Sequence, residues 1–150
     1  MKTLWNPTTE RDTRERVARL GPDSSRRWGR MSAGEMICHL ADAFRISLGE
    51  LEAAPKPGPF HFPPIRWLVI HVMPWPKGKI PTEPAFQTSK PAGWAADVRA
   101  WNEAFDRFLA HGRKPDATWP EHAAFGRMPT SEWGCLCWRH SDHHLRQFGV

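Results

Sequence analysis

Ten of the fifteen prolines fall between residues 55 and 91, in the stretch PKPGPFHFPPIRWLVIHVMPWPKGKIPTEPAFQTSKP. Proline has no backbone N–H and a fixed φ, so this density excludes a long helix or a central strand there. Regular structure must lie on either side, with the stretch itself as a long connection. Within it, IRWLVIHV predicts one helical turn or a short strand.

Both flanks carry helical signals. TERDTRERVARL, from about Thr9 to Leu20, opens with a threonine cap and early acids and runs into Gly21-Pro22. RRWGR adds a short turn. SAGE, Ser32 to Glu35, has the spacing of a capping box. Met36, Leu40, Ala43, Phe44, Ser47, Leu48 and Leu51 then share one helical face as far as the prolines at 55 and 57. A third helix is predicted from about Gly93 to His111, with Trp94, Val98, Trp101, Phe105, Phe108 and Leu109 as its apolar stripe and Gly112 as its stop. A fourth starts after Pro129, capped by Thr130 or Ser131, and continues through EWGCLCWRHSDHHLRQF. A long crossover lets the second and third helices run parallel, which a short loop does not. The expected fold is all-α: one domain over residues 1–150, a four-helix bundle with a Pro-rich crossover between helices two and three.

A chain of 150 residues can bury a real core. The net charge is +5, but basic residues are dispersed among acids, as in TERDTRERVARL and DVRAWNEAFDRF, which fits solvated helix faces and not a nucleic-acid surface. Cys38, Cys135 and Cys137 form no CxxC pair, so a reducing compartment is expected and a disulfide framework is not. The N-terminal sequence turns polar within a few residues, unlike a signal peptide. The longest apolar run, WLVIHVMPW, is too short for a bilayer and is broken by His71 and Pro74. These features predict a soluble cytoplasmic protein without a membrane partner. Nine tryptophans and no tyrosine promise packing anchors or an aromatic-lined pocket.

The C-terminal WRHSDHHLRQFGV places His140, His143 and His144 within five residues. A helix turns about 100° per residue, so His140 and His144 project side by side, on the wedge that holds Trp133 and Cys137. Arg139, Asp142 and Arg146 fall on another side, where solvent belongs, and His143 lies at the edge of the inward face. Two buried neutral imidazoles cost several kcal/mol unless each finds a partner. An i, i+4 pair is also the spacing by which one helix offers two nitrogens to one metal. His39, in EMICHLADAF at the margin of the second helix's stripe, is the candidate third ligand, with Asp42 outward or bracing a ring. Three histidines leave open coordination positions, as in catalytic metal sites. The other reading is a set of hydrogen-bonded core histidines. Cys137 is by default a packing residue and otherwise a pocket thiol; His122, in EHAAFG, braces a loop or lines the site. His61, His71 and His111 read as incidental.

MSAGEMICHLADAFRISLGE, WLVIHVMPWPKGKIPTEP and HAAFGRMPTSEWGCLCWRHSDHHLRQFGV resemble a bacterial family of unknown function within the DinB-like superfamily, the DinB/YfiT-type metalloenzymes. The resemblance runs from Met31 to the end and is most specific in HSDHHLRQFG. It implies a four-helix bundle, often dimeric, and a divalent zinc, nickel or iron ion held by one histidine of the second helix and an HxxxH of the last. Here those positions are His39, His140 and His144, with His143 as a non-ligand. Relatives within the superfamily include thiol-dependent transferases and isomerases that use low-molecular-weight thiols; DNA binding is not implied.

The resulting expectation is a metal-dependent enzyme acting on small molecules, a hydrolase or thiol-dependent transferase, with Asp42, Asp142 or a carbonyl fixing the histidine tautomers. His143 and His122 are the candidate acid–base groups. The alternative is a non-catalytic metal- or thiol-binding scaffold related to stress, acting as a homodimer.

Overall fold

A computed structural model describes residues 2–56, 58–77 and 88–150. Five α-helices follow in order: α1 (Pro7–Ala18), α2 (Ala33–Ser47), α3 (Pro63–His71), α4 (Trp94–Gly112) and α5 (Thr130–Gln147), with a 3-10 turn at Pro59–His61 ahead of α3. The described residues contain no strand, only an isolated bridge between His122 and Gly126.

The helix termini follow local chemistry that the sequence discloses only in part. Asn6, not a threonine, caps α1: its Oδ1 accepts the N–H groups of Thr8 and Thr9 at 2.9 and 3.3 Å. Pro7 begins the helix, where its missing N–H costs nothing, so α1 starts two residues earlier than predicted. The capping box of α2 forms as the spacing predicts, with Glu35 N–H on Ser32 Oγ at 3.2 Å and Ser32 N–H on Glu35 Oε2 at 2.7 Å. The helix ends well before the prolines, because Gly49 takes φ 74° directly after Leu48. Leu51 therefore lies beyond it.

IRWLVIHV is neither a single turn nor a strand but most of a nine-residue helix. Pro63 and Pro64 occupy the first turn, where no intrahelical N–H is required, so they start α3 instead of preventing it. Residue 57 and residues 78–87 of the Pro-rich connection, including Pro81 and Pro84, lie outside the described residues. At α5 the expected threonine cap is absent: Pro129 holds the cap position and Thr130 is already helical. The Thr130 hydroxyl instead accepts Trp119 Nε1–H at 2.9 Å, and its carbonyl accepts Trp5 Nε1–H at 2.8 Å.

One core cluster joins all five helices: Val17 from α1, Met36, Leu40 and Phe44 from α2, Ile70 from α3, Trp101, Phe105 and Phe108 from α4, and Trp133, Leu136 and Leu145 from α5. Phe44 sits 5.1 Å from both Phe105 and Phe108, centroid to centroid, which ties α2 to α4. Burying each such ring stabilises the fold by about 1.5–3 kcal/mol. Trp5 adds a wedge from outside the helices, stacking on Phe108 at 5.1 Å while lying across Gly112 and Gly134. A Cβ on either glycine would overlap the indole. Gly112 is thus helical and small for packing, not the left-handed stop that the sequence suggests; the cap is Arg113 at φ −84°.

No helix among the described residues is long and apolar enough to cross a membrane. Large exposed apolar side chains gather between Phe60 and Met73, including Phe62, Trp67 and Val72.

Candidate metal centre

The middle of α2 and the last turns of α5 meet at three imidazoles. His39 Nε2 lies 2.8 Å from His140 Nε2 and 3.1 Å from His144 Nε2. The rings meet edge to face, with centroids 4.7 Å apart for each pair involving His39 and 4.9 Å for His140 and His144. One donor nitrogen from each residue falls within 4.8 Å of the others. His39 is 4% exposed and His144 9%, while His140 is half-buried. The predicted ligand histidines are therefore brought together, the i, i+4 spacing in α5 supplying two and the stripe margin of α2 the third.

The donor set fits a metal ion. His144 Nδ1 lies 2.9 Å from Gln147 Oε1, an oxygen that can only accept, so the proton is on Nδ1 and Nε2 presents a lone pair inward. A proton on His39 Nε2 can point at only one of the two neighbouring nitrogens, whereas a cation takes all three lone pairs at once. Metal–nitrogen bonds of about 2.0–2.1 Å put neighbouring donors roughly 3.0–3.4 Å apart, within a few tenths of an ångström of the two separations from His39 Nε2.

Electrostatics favours the same state. Burial pushes His140 well below the usual imidazole range, helped by the neighbouring His39 and His144. His144 falls to about 3, mainly by desolvation and then by His39, with the Gln147 hydrogen bond pulling the other way. Neutral imidazole is the ligating form.

Gln147, which sequence reading overlooks, is the residue that orients His144. Its Nε2–H donates to the Trp28 carbonyl at 2.9 Å, and its own carbonyl accepts Arg27 N–H at 2.7 Å. The segment before α2 is thus latched to the end of α5 through the residue that orients His144. Gly29, at φ 79°, makes room: a Cβ there would overlap Gln147 Nε2. No local pattern marks a lone glutamine for this role; its i, i+3 spacing from His144 is the one available signal.

The tautomer-fixing roles assigned to Asp42 and Asp142 are not what these residues do. Asp42, fully buried, accepts Ser89 N–H and Ser89 Oγ–H, each at 2.7 Å, and ties the entry to α4 onto α2. Asp142 pairs with Arg16 and Arg146, both at 2.8 Å. Cys137 is a packing residue: its thiol lies 3.6 Å from Ser47 Oγ, and burial pushes it up to about 12. Trp133 stacks on Trp119 at 5.3 Å and faces His122, not the trio. His143 turns outward against Trp28, ring centroids 4.6 Å apart, with its other side 5.1 Å from His144. His71 lines a cavity beside it, and His111 donates to the Thr118 carbonyl at 2.7 Å.

His122 braces a loop. Its Nδ1 accepts the N–H groups of Ala124 and Phe125 at 3.1 and 3.2 Å. Charging the ring would protonate that nitrogen and break both bonds, and burial, then His61, lowers its pKa to about 4. Between this value and the ordinary 6.5 the unfolded chain binds the extra proton, so stability falls as pH drops through that window. In chelator-treated protein, His122→Asn, whose Oδ1 can accept the same N–H groups, is expected to reduce the pH dependence of the urea midpoint between about pH 6.5 and 4 by one histidine's share, leaving that of His140 and His144. An unchanged slope would show that His122 does not carry it.

No curated protein and no solved structure matches the chain. A family model does match, over residues 7–149, a span that takes in all five helices, the three clustered histidines and Gln147; the chain belongs to the family described as protein of unknown function (DUF1569).

Proposed function

We propose that this chain is a divalent-metal-dependent enzyme of small-molecule chemistry, a hydrolase or a thiol-dependent transferase, on a four-helix bundle of the DinB-like type. The observation that carries the reading is the meeting of three neutral imidazole nitrogens from two helices at 2.8 and 3.1 Å. The bundle assignment is supported by the core that α1, α2, α4 and α5 share, with α3 in the connection between α2 and α4. His39, His140 and His144 would hold zinc, nickel or iron. When bound, the ion supplies Lewis acidity that lowers the pKa of a water or thiol, so that a nucleophile is available near neutral pH.

The chain's own groups do the rest. Gln147 holds His144 in the ligating tautomer. The Trp75 ring, 6.3 Å from His140 and 5.9 Å from His143, restricts water at the cluster. His143 is half-buried beside the trio, on the side of the cavity, and is the group placed to exchange a proton with a small substrate or a low-molecular-weight thiol; His122 is occupied by its loop. Three cysteines that form no disulfide suit a reducing, cytoplasmic setting.

The test uses protein purified without a histidine tag and loaded with zinc, nickel or iron. A panel of esters, amides and electrophiles offered with low-molecular-weight thiols should include one substrate whose turnover disappears on chelation and returns when metal is restored. Metal uptake without turnover of any member would favour the second reading, a metal-binding scaffold. The apolar side chains exposed between Phe60 and Met73 support that reading, since a second copy of the chain would cover them.

A further inference from the structure

Beside the trio, and separate from it, lies a cavity of about 420 Å³, a size that suits a small organic molecule. Trp28, Trp75 and Trp138 form apolar walls. Two of its lining residues, Trp75 and His143, also stand against His140 and His144.

The charges around it are unbalanced. Lys2, Lys77, Arg139 and Arg146 line the cavity against a single acid, Asp142. That acid is already engaged by Arg16 and Arg146. Arg139 is committed as well, donating to the carbonyls of Ile70 and Met73 at 2.8 and 2.6 Å and lying 5.5 Å from the Trp75 ring centre. Lys2 and Lys77 remain, both exposed and neither paired with a carboxylate among the described residues. Lys2 Nζ stands 5.7 Å from the Trp138 ring centre, so an ammonium and an indole face share one part of the wall. Flat apolar walls next to uncompensated cations select a molecule with an aromatic or apolar body and an anionic end.

We propose that this cavity binds a small carboxylate with a flat apolar body, held between the tryptophans with its charge towards Lys2 and Lys77. Its catalytic meaning rests on the metal reading, because such a molecule would lie against His143, next to the three ligands. Its binding does not, since every wall is protein.

The experiment is calorimetric titration of the chelator-treated full chain with 2-naphthoate and with neutral 2-naphthamide, which has the same shape. One 2-naphthoate per chain is expected, bound about tenfold more tightly than the amide and weakened by salt. The double charge reversal K2E/K77E, at exposed positions away from the core, should remove that preference while leaving amide binding and the unfolding midpoint unchanged. Equal affinities in the wild type, or a preference that survives K2E/K77E, overturns the proposal. Metal uptake measured separately, on untagged protein offered zinc, nickel or iron, keeps the two readings apart: a chain that takes up no metal yet discriminates 2-naphthoate after chelation retains this site and loses the enzymatic reading.

Discussion

His140→Ala is expected to take metal content from one ion per chain to none, measured by elemental analysis of untagged protein. His140 Nε2 is the nitrogen nearest to His39 Nε2, at 2.8 Å, and removing it leaves two donors on two helices. The affinity should fall by more than about 100-fold, beyond the range typical of changes to groups that only orient a ligand. The metal-free variant should still fold. The substitution removes a desolvated imidazole from beside two others, and that relief offsets part of the lost packing. Thermal unfolding gives the second readout: wild-type protein gains stability as metal is added, by RT ln(1 + [L]/Kd), and the variant should not. Full stoichiometry in His140→Ala would falsify the site.

Gly134→Ala should destabilise the fold by roughly 2–4 kcal/mol, although helix propensity alone favours alanine by about 1 kcal/mol. Gly134 is buried within α5, and an added Cβ would overlap both the Trp5 indole and Thr3 Oγ1. The indole has little room to yield. It is pinned by the Thr130 carbonyl at 2.8 Å, stacked on Phe108, and bounded by Gly112 on α4. Relief would therefore require expelling Trp5, which gives up its hydrogen bond and its ring contacts. Urea unfolding measures the outcome. A variant as stable as wild type would mean that the wedge is dispensable.

The legible parts of this fold are those set by short-range pattern. Ser32 and Glu35 announce the start of α2 because each partner lies within one turn of the other. The pairing of His140 with His144 follows from helical periodicity alone, and His39 can be placed on the inward margin of its own helix. That these residues meet at one point is a tertiary fact, which spacing makes plausible without fixing it. The misread parts are those where a residue's local preference was spent on a distant partner. Thr130 reads as a cap, but its hydroxyl serves Trp119. Gly112 reads as a stop, but its missing side chain serves Trp5. Asp42 reads as a brace for a histidine, but both its oxygens serve Ser89. Pro63 and Pro64 mislead for a different reason: proline opposes a helix interior and suits a first turn, and the same dipeptide signals both.

The latch between Trp28 and Gln147 implies a dependence that no inspection of the three histidines would disclose. A side chain at residue 29 would meet the Gln147 amide, and the first group to move would be the acceptor that sets which nitrogen of His144 carries its proton. Residue 29 is separated from the histidines by Gln147, yet variation there would be felt as a change in the basicity of His144. In related chains, glycine at this position and glutamine near the end of the last helix should be kept or exchanged as a pair.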